Sequence, residues 1–141
     1  MSAWDPYLDN LIARSKDGAG NTHIDKACII GMNDGGSLWI TATHANAIQI
    51  TQPEAKTIAQ CFNSKKYDTF TMNGVRVGGL KYQFLREMDN TVFAKKKEHG
   101  AVTLQASKTA VIIAHCPEGK QQGTANKAVN DIVEYLVSVG V

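Results

Sequence analysis

The chain has little that could fasten or anchor it from outside a core. Its 141 residues hold three cysteines, Cys28, Cys61 and Cys116. Three thiols cannot all pair internally, and none lies in a CxxC, so reduced cysteines are expected rather than a disulfide framework or a zinc site. No apolar run approaches the roughly eighteen residues of a membrane span. The opening MSAWDPYLD has no basic region followed by an apolar stretch, so no secretory signal is expected and the chain reads as cytoplasmic. A formal net charge of +2 is too small to argue for nucleic acid.

Catalytic signatures are missing as well. There is no phosphate loop with its lysine, no GxSxG elbow and no HExxH. The four histidines, His23, His44, His99 and His115, are scattered, with no pair at metal spacing. Cys28 and Cys116 fall in apolar runs, where a thiol acts as a small hydrophobe. These absences argue against an enzyme and predict no metal and no cofactor. Long linkers, repeats and low-complexity tracts are also lacking, so residues 1–141 are expected to form one domain.

What is present is a clear alternation of elements. Proline at position 6 is tolerated in a first helical turn, and Tyr7, Leu8, Leu11 and Ile12 recur at helical spacing. Trp4 and Tyr7 lie three apart and share that helix's face. Two of the chain's six Trp and Tyr residues therefore sit where chains usually fray. So much ring area is wasted there unless it is docked or is itself a binding surface. Periodicity leaves both readings open. Residues 15–23 are polar and glycine-bearing, a loop. KACIIGMN reads as a buried strand, and Asp34, Gly35 and Gly36 as a tight turn. SLWITA reads as its partner, a hairpin over 24–42.

Residues 52–62 carry a proline near the start, Pro53, and repeat apolar positions at 55, 58, 59 and 62, at helical spacing. From Thr69 to His115 the turn signals Asn73-Gly74, Gly78-Gly79, Asp89-Asn90 and His99-Gly100 predict an antiparallel meander. TAVIIAH is nearly all apolar and is expected mid-sheet, covered on both faces. TANKAVNDIVEYLVSV carries the strongest helical periodicity. The sum is an α+β domain on one antiparallel sheet.

Four segments in this order resemble one family. Trp4-Asp5-Pro6-Tyr7-Leu8-Asp9 is similar to the opening of a profilin. CIIGMNDGGSLW resembles its buried strand, glycine turn and tryptophan, here Trp39. FTMNGVRVGGLKYQFLRE resembles the segment that ends on an arginine, here Arg86, and GTANKAVNDIVEYL resembles the C-terminal helix. The resemblance runs from about residue 2 to the end. It implies a six- to seven-stranded antiparallel sheet, with the terminal helices packed together on one face and a further helix on the other. It also implies a monomer of the cytoplasm and cytoskeleton that binds monomeric actin, proline-rich proteins such as formins, and phosphoinositide head groups. The implied activity is regulation of actin polymerisation: nucleation blocked, nucleotide exchange and barbed-end delivery promoted.

The same resemblance implies site residues. For polyproline they are Trp4, Tyr7, Trp39, Tyr135 and Leu136. For actin they are Met72, Lys81, Phe84, Arg86 and Lys96 from the middle of the chain, with Gly123, Asn126, Lys127 and Asp131 from the last helix. Lys81, Arg86, Lys95, Lys96 and Lys97 form the phosphoinositide set. In an uninterrupted strand over 80–88, Phe84 and Arg86 share a face and Lys81 needs a bulge or strand end to join them. Ala94, Lys120 and Val141 depart from residues that many relatives carry. A rival, a small-ligand or trafficking module on a similar sheet, needs a concave pocket rather than paired terminal aromatics.

Overall fold

Local chemistry accounts for most of the elements in the computed structural model, which describes residues 4–41 and 43–141. Helix α1 (Asp5–Arg14) takes its proline in the first turn, with Asp5 at its start and Arg14 at its end, as the helix dipole favours. Helix α2 (Gln52–Ser64) begins with a capping box in which Thr51 and Glu54 satisfy each other's backbone N–H groups. Helix α4 (Gln122–Ser138) buries Ala125, Ala128, Val129, Ile132, Val133 and Leu136 along one stripe. The strands are β1 (Lys26–Gly31), β2 (Val75–Val77), β3 (Leu80–Met88), β4 (Thr91–Lys96), β5 (Gly100–Ala106) and β6 (Ala110–Cys116). All pairings are antiparallel, in the order β1-β6-β5-β4-β3-β2. The expected α+β class and sheet are therefore present, with six strands.

Helices cover both sides of the sheet. Thr103 and Gln105 of β5 reach Asn126 and Asn130 of α4, and α1 packs on α4 and β1. On the opposite side Phe84 of β3 stacks on Phe70 of helix α3 (Asp68–Asn73) at 6.4 Å between ring centroids. Strand β6 is buried along its length except at His115, as its apolar run predicts. No helix among the described residues is long and apolar enough to cross a membrane.

Three expectations are corrected. Residues 37–41 do not form a partner strand: β1 pairs with β6, and the bridge to this segment is one, between Ile30 and Leu38. The cause is the turn. Gly35 and Gly36 both have positive φ, and Gly36 sits so close to the backbone of Ala55 that a Cβ would approach within 2.6 Å. The chain is thereby bent toward α2 after one bridge. Ala42, the end of the expected strand, lies outside the described residues, as do Ser2 and Ala3. Second, Asp68–Asn73 is a helix, α3, not the start of the meander. Its Thr and Phe content favours a strand locally, yet Phe70 is buried against Phe62, Tyr67 and Phe84, and that packing wins. Third, β3 carries a bulge between Phe84 and Arg86. The extra residue flips the parity, so Phe84 and Arg86 point to opposite faces and Lys81 needs no further device to share Arg86's face.

Candidate functional site

Two surfaces hold about half of the side chains singled out above, one at each end of α4. At its C-terminal end, four aromatic rings form a continuous strip. Trp4 lies 5.1 Å from Tyr7 and 4.9 Å from Trp39, centroid to centroid, and Tyr7 lies 6.2 Å from Tyr135. All the angles are tilted, within the range that aromatic pairs favour. Tyr135 is 52% exposed, while Trp4, Tyr7 and Trp39 are half-buried. Beside them Pro6, Tyr7, Asn10, Arg14, Ile132 and Tyr135 line a groove of about 380 Å³ between α1 and α4. Burial and the neighbouring Tyr135 raise the Tyr7 phenol above its ordinary value.

The strip is held from beneath. Asp5 is buried and its Oδ1 accepts the Thr41 N–H at 2.8 Å, tying α1 to the loop after Trp39. His44 Nε2 meets Asp9 Oδ1 at 3.1 Å, while His44 Nδ1 accepts the Asn46 N–H. That acceptance places the ring proton on Nε2, which donates to Asp9. Asp34 Oδ2 accepts from the Ser37 hydroxyl at 2.6 Å and from the Trp39 indole N–H at 3.3 Å. The Ser37 bond holds the Asp34 carboxyl below its usual range. The Trp39 N–H thus has a partner within the protein, and its ring face is what a ligand would meet. The C-terminus is pinned too: the Val141 carbonyl accepts from the Thr109 N–H and from the Ser107 and Thr109 hydroxyls.

Leu136 does not belong to this strip. It is 0% exposed, because the helical period that turns Tyr135 outward turns its neighbour into the stripe shared with Ile132 and Val133. A ligand on the rings cannot touch it.

The second surface lies at the N-terminal half of α4. Arg86 caps the ring of Phe93 at 5.0 Å, Phe93 pairs across to Thr103, and the Thr103 hydroxyl donates to Asn126 Oδ1. One step along, the Gln105 amide donates to Asn130 at 3.0 Å. Lys95 lies on this face with Gln83, its register partner, and Lys81 shares Gln83's side of β3. Gly123 and Lys127 flank Asn126 on the helix. Lys96, next after Lys95, points to the opposite face, and Lys97 begins the β4–β5 turn. Asp131 pairs with Arg14 of α1 at 3.9 Å, which directs it away from the strands. Met72, 79% exposed, stands on α3 across the sheet edge. Leu85 at the bulge is 49% exposed.

Sequence reasoning missed Thr103, Gln105 and Leu85. For the first two a signal exists: polar residues two apart in an apolar strand, and asparagines four apart in a helix. Both spacings are about 6 Å, so the pairs can meet rung by rung. Leu85 is revealed only by the bulge.

Other chemistry is sparse. All three cysteines are buried and unpaired. Burial raises the thiols of Cys28 and Cys61, and that of Cys116 to about 11, so none is a thiolate at neutral pH. No cluster of potential metal ligands occurs among the described residues.

Comparison with known proteins gives one consistent result. The family model described as Profilin matches residues 2–141. The profilin of Clypeaster japonicus is 58% identical over 140 residues, covering 99% of each chain. Acanthamoeba castellanii profilin IA is similar in structure, with a TM-score of 0.79 at 25% identity, over 99% of this chain and 100% of that one. Mouse profilin IIa in complex with a double repeat from the FH1 domain of mDia1 superposes with a TM-score of 0.74 at 25% identity, over 99% and 100%.

Proposed function

We propose, proceeding from the fact that this chain belongs to the profilin family of actin-binding proteins, that its two surfaces divide the work between actin and proline-rich ligands. The aromatic strip takes polyproline. A polyproline II helix is extended and stiff before binding, so little chain is ordered, and flat rings fit its ridged apolar surface. Its carbonyls have no internal partner and accept from the Tyr7 and Tyr135 hydroxyls. One short segment is held at about micromolar affinity or weaker, and repeats raise the effective concentration. Trp4, Tyr7, Trp39 and Tyr135 carry this site. The observation that supports it is the strip itself: four ring systems in contact, opening to solvent along a groove. The mouse relative's complex with FH1 repeats supports the same ligand class.

Actin is assigned to the other face. Lys81, Arg86, Lys95, Gly123, Asn126 and Lys127 make a basic and polar surface, with Leu85 and Met72 as apolar points toward its edge. Phe84 and Lys96, on the sheet's other face, and Asp131, turned toward Arg14, lie outside this surface. Basic groups here govern encounter rate and salt dependence. Covering the barbed-end face of the monomer blocks nucleation and still permits its delivery to a growing barbed end. Clamping the base of actin's two halves loosens the nucleotide cleft and speeds exchange. Lys81, Arg86 and Lys95, with Lys96 and Lys97 nearby, attract anionic phosphoinositide head groups at about 1 kcal/mol per charge, so lipid and actin compete. The chain works as one cytoplasmic domain without enzymatic activity.

The test is direct. Wild-type protein is retained on immobilised poly-L-proline and suppresses spontaneous assembly in a pyrene-actin assay. Trp4→Ala loses two ring contacts, weakens polyproline binding by about tenfold or more, and leaves pyrene-actin suppression intact. Retention of the variant at wild-type strength, with the fold intact, rejects the strip as the site.

A further inference from the structure

On the side of the sheet away from α4, a cavity of about 360 Å³ opens between the start of β1, the β2–β3 turn and the end of β6. That volume is in the range of small-ligand pockets, and neither surface described above uses it. Ile48, Val77, Leu80 and Val102 supply an apolar wall. Its polar members are unusual. Tyr82 is 3% exposed, yet its hydroxyl makes no hydrogen bond with any described residue. No fully enclosed side-chain polar atom among those residues lacks a partner. The hydroxyl must therefore reach the cavity, where it is a donor without an acceptor. There an acceptor on a ligand can take the place of solvent.

The charged groups around it are arranged so that donors face inward. His115, whose ring meets Tyr82 edge-on at 6.3 Å, has Asp25 Oδ1 2.6 Å from Nδ1 and the His99 carbonyl oxygen 2.6 Å from Nε2. Two acceptors are satisfied together only by the doubly protonated ring. Asp25 offsets that cation, the Glu54 carboxylate is spent on the Gly78 and Gly79 N–H groups, and Lys26 on the cavity rim is a cation in no ion pair among the described residues. Burial, with Asp25 nearby, raises the Tyr82 phenol, which keeps its proton. The donors face an acceptor-bearing, negatively charged group. The free donors are few, because the N–H groups of Gly78 and Gly79 are already taken by the Glu54 carboxylate at 2.9 Å each. A carboxylate fits two donors; a phosphate dianion would need more.

We propose that this cavity binds a small carboxylic acid with an apolar body, its carboxylate on the Tyr82 hydroxyl and the Lys26 ammonium and its body against Ile48, Val77 and Leu80. The experiment is an amide chemical-shift titration of the ¹⁵N-labelled full chain with 3-phenylpropionate and with its neutral isostere 3-phenylpropanamide. The acid produces saturable shifts centred on Gly78, Leu80, Tyr82 and His99, and the amide binds about tenfold more weakly. Tyr82→Phe conserves volume and weakens the acid by a similar factor. Lys26→Gln, at an exposed position where folding is not at stake, erases most of the preference for acid over amide. Absence of saturable shifts with the acid overturns the proposal. So does equal binding of acid and amide, or Lys26→Gln leaving the preference unchanged.

Discussion

At the scale of single residues, the strip depends on which way each ring is turned. Tyr135 and Leu136 are adjacent in sequence and opposite in fate, one 52% exposed and one fully buried. The rings' identities and their grouping at the chain's ends are legible in the sequence as soon as a profilin is suspected. Their mutual distances are not, because these depend on Asp5, Asp9 and Asp34 gripping the loop around Trp39. His115 gives a prediction at the same scale. Its hydrogen bond to Asp25 raises it above its ordinary 6.5, with the His99 carbonyl adding to this and burial and Lys26 opposing it. A raised folded value stabilises the protein fully below 6.5, and that contribution is lost as pH rises through the folded value. Chemical denaturation from about pH 6 to 9 shows stability falling over that window in the wild type, and the fall is flattened in His115→Gln. Equal curves for the two proteins would show that His115 is not held as the cation.

At the scale of elements, helices with long periodic faces were readable and short, tertiary-determined pieces were not. Helix α4 announces itself by its apolar repeat and α2 by its early proline and apolar spacing. Helix α3 is six residues held by Phe70 in an aromatic cluster, and no local rule reports that. The bulge in β3 is equally silent: a period-2 reading puts Phe84 beside Arg86, and one extra residue separates them. Turn glycines were found as turns, though not for what they touch. Gly100 has φ +100, and a Cβ there would lie 2.1 Å from the Cys116 carbonyl oxygen. Gly100→Ala therefore destabilises the domain by about 1–3 kcal/mol, read from the urea midpoint, whereas Gly18→Ala, which meets nothing within 4 Å, leaves it near wild type. Glu54 joins elements by accepting N–H groups from Thr51, Gly78 and Gly79. Glu54→Ala costs about 1–3 kcal/mol and speeds amide exchange at Gly78 and Gly79; unchanged exchange there would contradict the tie.

For the whole molecule, the decisive feature is separation. Gly123 and Tyr135 sit on the same helix, about 18 Å apart along its axis, so the basic face and the ring strip, as proposed above, can meet different partners without sharing side chains. The sequence shows two sets of residues, but their separation needs α1 packed on β1 and against α4, which itself lies on β5 and β6. That arrangement leaves a bound monomer and a bound proline-rich segment free to occupy one chain together. The direct test is sedimentation velocity of a fluorescent proline-repeat peptide with this protein, with and without excess monomeric actin. The account predicts that peptide, protein and actin move as one faster species and that the peptide's dissociation constant is unchanged by actin. Displacement of the peptide as actin is added would contradict it.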